Sequence, residues 1–106
     1  MDAMTPGFVR MFHTALDPAD LEQGRRLFAD DILPVFRDMD GCLSMELVLS
    51  VEHNPGGLLE CTALSRWVSR EAMEAAMGSR AAKEAQVRIF QLLRQEPVVR
   101  VFEVLE

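Results

Sequence analysis

Apolar and polar residues alternate along residues 42–51, with Leu43, Met45, Leu47, Leu49 and Val51 on one side and Ser44, Glu46 and Ser50 on the other. A period of two sustained over this length predicts a strand with one buried face. A second apolar run, residues 58–67, follows the stretch Glu52, His53, Asn54, Pro55, Gly56, Gly57, whose Asn, Pro and paired Gly supply the dihedrals of a chain reversal. The two runs are therefore expected to pair as a hairpin. Residues 8–14 and 98–105 are short runs rich in aromatic and β-branched side chains and predict two more strands.

Between these runs the period lengthens. Asp17 suits an N-cap and Pro18 the first helical position, and Leu21, Phe28, Ile32, Val35 or Phe36, and Met39 recur at helical spacing. Pro34 falls inside this helix, so a kink or restart is expected near Leu33, and Gly41 closes it. Ser69 caps a short helix carrying Met73, Ala76 and Met77. Gly78-Ser79 interrupts it before a longer helix with Ala82, Ala85, Ile89, Leu92 and Leu93, which Pro97 ends.

The order β-α-β-β-α-β predicts an α+β, ferredoxin-like fold: a four-stranded antiparallel sheet with both helices on one face, because crossovers are right-handed. A chain of 106 residues fits one domain over residues 1–106. A one-residue slip would reverse every side chain, so the hairpin register is chosen by matching apolar faces. Leu43 opposite Trp67 does this, setting the apolar side of the second strand against Leu59, Cys61, Ala63, Ser65 and Trp67 on the helix side. The uncovered face would then carry Phe8, Phe12, Val48, Leu64, Phe102 and Val104, among Arg10, Arg66, Arg100, Glu46 and Glu60. So apolar a face predicts an interface, and two copies packed sheet to sheet about a twofold axis would bury it.

Composition narrows the partners. Hydrophobic residues make up 49% of the chain and charged residues 26%, an ordinary globular balance. The formal net charge of −6, with no basic cluster to offset it, repels phosphate backbones and anionic lipid, so neither nucleic acid nor a membrane is expected as partner. The first ten residues contain Asp2 and no long apolar run, so no signal or anchor is expected there and a cytoplasmic location is the default. Cys42 and Cys61 lack metal-ligand spacing, so no metal site is expected. In the hairpin they would lie about 20 Å apart at ~3.3 Å per residue, beyond disulfide reach.

The order of elements, Pro34, the Asp40-Gly41-Cys42 entry into the second strand, and the segment Arg66-Trp67-Val68-Ser69-Arg70-Glu71-Ala72-Met73 resemble the antibiotic biosynthesis monooxygenase family of dimeric α+β barrel proteins. The resemblance runs from about Phe8 to Leu105. It implies a homodimer through the sheet face, a pocket between sheet and helices for a small apolar or aromatic molecule, and an oxygenase that needs no metal, flavin or other cofactor. An Asn that family oxygenases often carry on the first strand is replaced here by Phe12, and a His after the Trp by Ala76. Haem-degrading members need a helical His, and residues 69–95 contain none.

Cofactor-free oxygenation requires a group that deprotonates a phenol or quinol and groups that steady the anion. His13 shares parity with Val9 and Met11 and is read as pointing to the helix side, where it is either a general base or a structural histidine at a strand end. Trp67 is either a stacking and N–H-donating group or a core anchor. Cys61 has no activating neighbour in the sequence pattern and reads as a small buried hydrophobe. The expected pocket lining is Met11, Phe12, Met45, Cys61, Ser65, Met73 and Met77, although the methionines fill an irregular core equally well. Two other functions fit the same fold: a noncatalytic ligand-binding or accessory dimer, and a non-oxidative isomerase or cyclase.

Overall fold

A computed structural model of the chain describes residues 7–106. The reading of the chain's start as neither signal nor anchor falls largely on residues 1–6, outside the described residues. Strand β1 (Phe8–Leu16) leads through a 3-10 turn (Pro18–Asp20) into helix α1 (Leu21–Leu27), a π-helical turn (Phe28–Ile32) and helix α2 (Leu33–Arg37). Strands β2 (Cys42–His53) and β3 (Leu59–Trp67), helices α3 (Arg70–Met77) and α4 (Arg80–Phe90), and strand β4 (Val98–Glu103) follow.

The caps expected at Asp17 and Ser69 form, and Ser79, expected only to interrupt the helix, caps α4 as well. Asp17 accepts from the Ala19 N–H at 2.9 Å, Ser69 from the Ala72 N–H at 3.1 Å and Ser79 from the Ala82 N–H at 3.2 Å. The break expected near Leu33 is a widened turn instead of a sharp kink. Pro34 has no N–H to offer the preceding turn, and the Leu33 N–H reaches back to the Phe28 carbonyl. In the hairpin loop, the Asn54 side-chain oxygen accepts from the Gly56 and Leu58 N–H groups at 2.9 and 3.0 Å.

The strand order is β2-β3-β1-β4, with every neighbouring pair antiparallel, as the ferredoxin-like arrangement requires. The register matches the expectation where Met45 faces Ser65, Leu47 faces Ala63 and Leu49 faces Cys61. Irregularities at both ends correct it elsewhere. Cys42, not Leu43, pairs with Trp67, and His53, not Val51, pairs with Leu59. A bulge shifts the residues beyond it, so Leu43 is exposed and Val51 is 98% exposed instead of facing the helices.

A second correction concerns β1. Phe8, Arg10, Phe12, Thr14 and Leu16 lie opposite Trp67, Ser65, Ala63, Cys61 and Leu59, so they share the helix side. Val9, Met11 and His13 lie opposite Arg66, Leu64 and Thr62 on the uncovered face. The expected sides of Phe8, Arg10 and Phe12, and of Met11 and His13, are thus exchanged. On β4, Arg100 and Phe102 lie beside Met11 and Val9 on the uncovered face, where they were expected.

The core lies between sheet and helices. Phe28, Ile32 and Phe36 pack with Met45, Trp67, Met73, Ala76, Ala82 and Ala85 in one buried cluster. The segment after α4 is tied to β1, since Thr14 donates to the Gln95 carbonyl at 2.9 Å and the Arg94 N–H to the Ala15 carbonyl at 3.0 Å. Among the described residues no helix is long and apolar enough to cross a membrane.

Candidate active site

Alternation along β1 aims Arg10 and Phe12 at the helices, and the widened turn brings Phe28 and Ile32 down toward them. These elements enclose a cavity of about 40 Å³ lined by Arg10, Phe12, Phe28, Ile32, Phe36, Met45, Ala63, Ala85, Gln86 and Ile89. A second cavity, of about 30 Å³, is lined by Phe12, Thr14, Leu16, Gly24, Phe28, Leu47, Cys61, Ala63, Ile89, Leu92 and Leu93. Phe12, Phe28, Ala63 and Ile89 line both. Each space holds a water or two but not an aromatic ring, so a ring would enter by turning Phe12 aside or lifting α4 from β1. Phe12 stacks on Phe90 of α4 with ring centroids 6.3 Å apart, which makes this pair the contact to be opened.

The first cavity is apolar except for Arg10 and Gln86. The Arg10 guanidinium sits 5.8 Å from the centre of the Phe12 ring, a cation–π arrangement. Burial holds its pKa below the ordinary value, although a guanidinium stays charged at neutral pH.

Of the residues expected to line the pocket, Phe12 and Met45 reach the first cavity, and Phe12 and Cys61 the second. Ser65 is buried and accepts the indole N–H of Trp67 at 2.9 Å. Trp67 has no exposed surface and belongs to the core cluster with Met73, while Met77 packs against that cluster from its edge. Met11 is on the uncovered face.

His13 is there too, with Nδ1 at 2.6 Å from the Thr62 hydroxyl and Nε2 at 3.2 Å from the Glu60 carboxylate. A hydrogen on Nε2 satisfies both contacts, with the carboxylate accepting it and the hydroxyl donating to Nδ1. The sheet therefore separates His13 from both cavities. Among the described residues no three His, Cys, Asp or Glu side chains come close enough together to hold a metal ion.

The family model described as antibiotic biosynthesis monooxygenase matches residues 7–88. The chain belongs to that family. Its solved relatives keep the same fold over nearly the whole chain. Rv0793 from Mycobacterium tuberculosis is 26% identical, with 93% of this chain and 95% of that one covered at a TM-score of 0.72. A conserved protein from Methanosarcina mazei is 17% identical, with 98% and 99% covered at 0.77. SnoaB, a cofactor-independent oxygenase from Streptomyces nogalater, is 14% identical, with 95% of each chain covered at 0.71. No curated protein matches the chain.

Family membership bears on what the sequence left unread. Arg10, Gln86, Phe28, Ile32 and Phe36 line the cavity without having been expected there. One signal for Arg10 was present: the family resemblance put Phe12 at the pocket, and Arg10, two residues away on the same strand, must share its side. The aromatic residues of the helical segment read as core by their spacing, and they are both core and lining.

Proposed function

We propose that the protein is a homodimeric oxygenase that takes a small aromatic or quinol-like substrate into the space between sheet and helices and oxidises it without metal or flavin. The observation that carries this reading is the apolar cavity with one cation at its edge, in a chain of a family named for monooxygenases. The chemistry asks little of the protein. An activated phenol or anthrone ionises, and the electron-rich anion reacts with dioxygen. One oxygen atom then stays on carbon as a carbonyl while the other leaves as water, with four electrons supplied by the substrate. The pocket's work is to favour the anion, hold it still and exclude water.

In this reading Phe12 and Met45 contact the substrate, and Trp67 acts as a positioning residue that fixes the wall behind Met45. Cys61 and Ser65 shape the floor, and Met73 and Met77 back it. His13 would serve the interface between copies. A second reading, a noncatalytic dimer that binds the same ligands, is favoured by one observation: the first cavity's lining offers no carboxylate, imidazole or thiol as a base. The same lack weighs more heavily against an isomerase or cyclase, which depends on proton transfer alone.

Oxygen uptake separates the readings. Metal-stripped protein incubated with a panel of quinols and anthrones is expected to consume dioxygen in proportion to enzyme, and Ala63→Leu, which fills both cavities, to suppress it. Saturable binding across the panel with no uptake above the protein-free rate establishes the second reading instead.

A further inference from the structure

We infer that Arg10 is the anion-recognising group of the cavity, so that its ligand is a flat aromatic molecule carrying an ionised oxygen, a phenolate, enolate or carboxylate, at the end that meets Arg10 and Gln86. This inference rests on the reading of the cavity as the ligand site and names the substrate class of that site.

Three observations carry it. First, Arg10 lacks a counter-ion among the described residues, whereas Arg26, Arg70, Arg80, Arg88 and Arg94 each lie within 4 Å of a carboxylate. Among the described residues Arg25, Arg37, Lys83 and Arg100 likewise have no carboxylate within 4 Å, but all four are exposed, whereas Arg10 is half-buried. Second, Arg10 is partly withdrawn from water, on the helix side of β1 beside the Phe12 ring. A desolvated, unpaired cation is costly to hold, and a bound anion would relieve that cost. Third, the rest of the lining, including Phe12, Phe28, Ile32, Phe36 and Met45, is hydrocarbon or thioether that prefers a ring, while the Gln86 amide can donate a second hydrogen bond.

Together these features describe a recipient for one charged oxygen on an apolar disc. They also supply a way to ionise a substrate without a base. A guanidinium beside a phenol stabilises the phenolate and lowers the pH at which the proton leaves to water.

The test uses 2-naphthoate and its neutral analogue 2-naphthamide, with affinities read by ligand fluorescence on the intact protein. Wild-type protein is expected to bind the naphthoate about tenfold more tightly, with a preference that shrinks as salt rises. Arg10→Gln is expected to erase the preference while keeping affinity for the amide, and Arg10→Lys to retain part of it. Thermal unfolding of each variant verifies that it folds, and the salt dependence in wild-type protein tests the assignment without any substitution. Equal affinities in wild-type protein, or a preference that survives in Arg10→Gln, overturns the assignment of Arg10 alone. If neither probe binds, or if Ala63→Leu leaves both affinities unchanged, the cavity is not the ligand site and both readings fall.

Discussion

Burial sets the chemistry of the two thiols. Cys61 is buried in the floor of the second cavity, and desolvation pushes its thiol up from the ordinary range. Cys42 is pushed the same way by burial, with smaller opposing pulls from a hydrogen bond with the Ser44 backbone and from the Arg37 charge. Because a raised pKa favours the neutral thiol, the folded protein holds less thiolate than the unfolded chain at any pH below those values. Alkylation by iodoacetamide at pH 8 is therefore expected to be slower in the native protein than in the denatured one, at Cys61 above all. Mass spectrometry of partially labelled protein measures both sites, and native Cys61 reacting at the denatured rate would contradict its burial. The small-hydrophobe reading of Cys61 was legible from the lack of activating neighbours. The isolation of His13 from the pocket was not, because the sequence says nothing about which face a strand residue takes until a partner strand is fixed.

Strands and helices differ in how much of themselves they reveal. The capping residues Asp17 and Ser69 act locally, over two or three residues, and could be read directly, whereas Ser79 read only as an interruption and proves to cap α4. Along β1, Phe8, Phe12 and Leu16 alternate with Val9, Met11 and Ala15, so both faces are apolar and alternation carries no sign. Only pairing with β3 decides it. The hairpin's middle register could be read from matched faces, while its bulges could not, since an inserted residue leaves the local pattern unchanged.

Gly41 is the junction where helix and sheet meet. Its φ is +85°, its carbonyl accepts the Val68 N–H at 2.9 Å, and a Cβ placed there would stand 2.5 Å from the Ala72 Cβ. Gly41→Ala combines a disfavoured backbone region with a collision against α3, and is expected to cost about 1–3 kcal/mol. Urea unfolding gives the value, and a midpoint unchanged from wild type would mean that α3 yields freely there.

Across the whole molecule the sheet lacks a roof on one side. The Cα envelope measures 46 × 29 × 19 Å and the radius of gyration is 14.3 Å, against about 13 Å for a compact chain of this length. The thinnest dimension has room for one sheet and one layer of helices. Strand β4 is bare on both sides, for Val98 and Phe102 are exposed on the open face and Val99 and Val101 on the helix side, beyond the reach of α3 and α4. Four large apolar residues on one exposed edge strand invite uncontrolled pairing unless another surface covers them. A second copy set against the open face would cover Phe102, together with Met11 and Leu64, and would place the His13–Glu60 pair at the seam. The wild-type protein is accordingly expected to sediment at twice the 11.9 kDa of one chain. Phe102→Glu, which puts a charge at a residue already 50% exposed and hence tolerable in an isolated subunit, is expected to shift it to the monomer while its circular dichroism stays the same. A wild-type protein that sediments as one chain at the highest attainable concentration would leave this face to water and remove the argument for a twin.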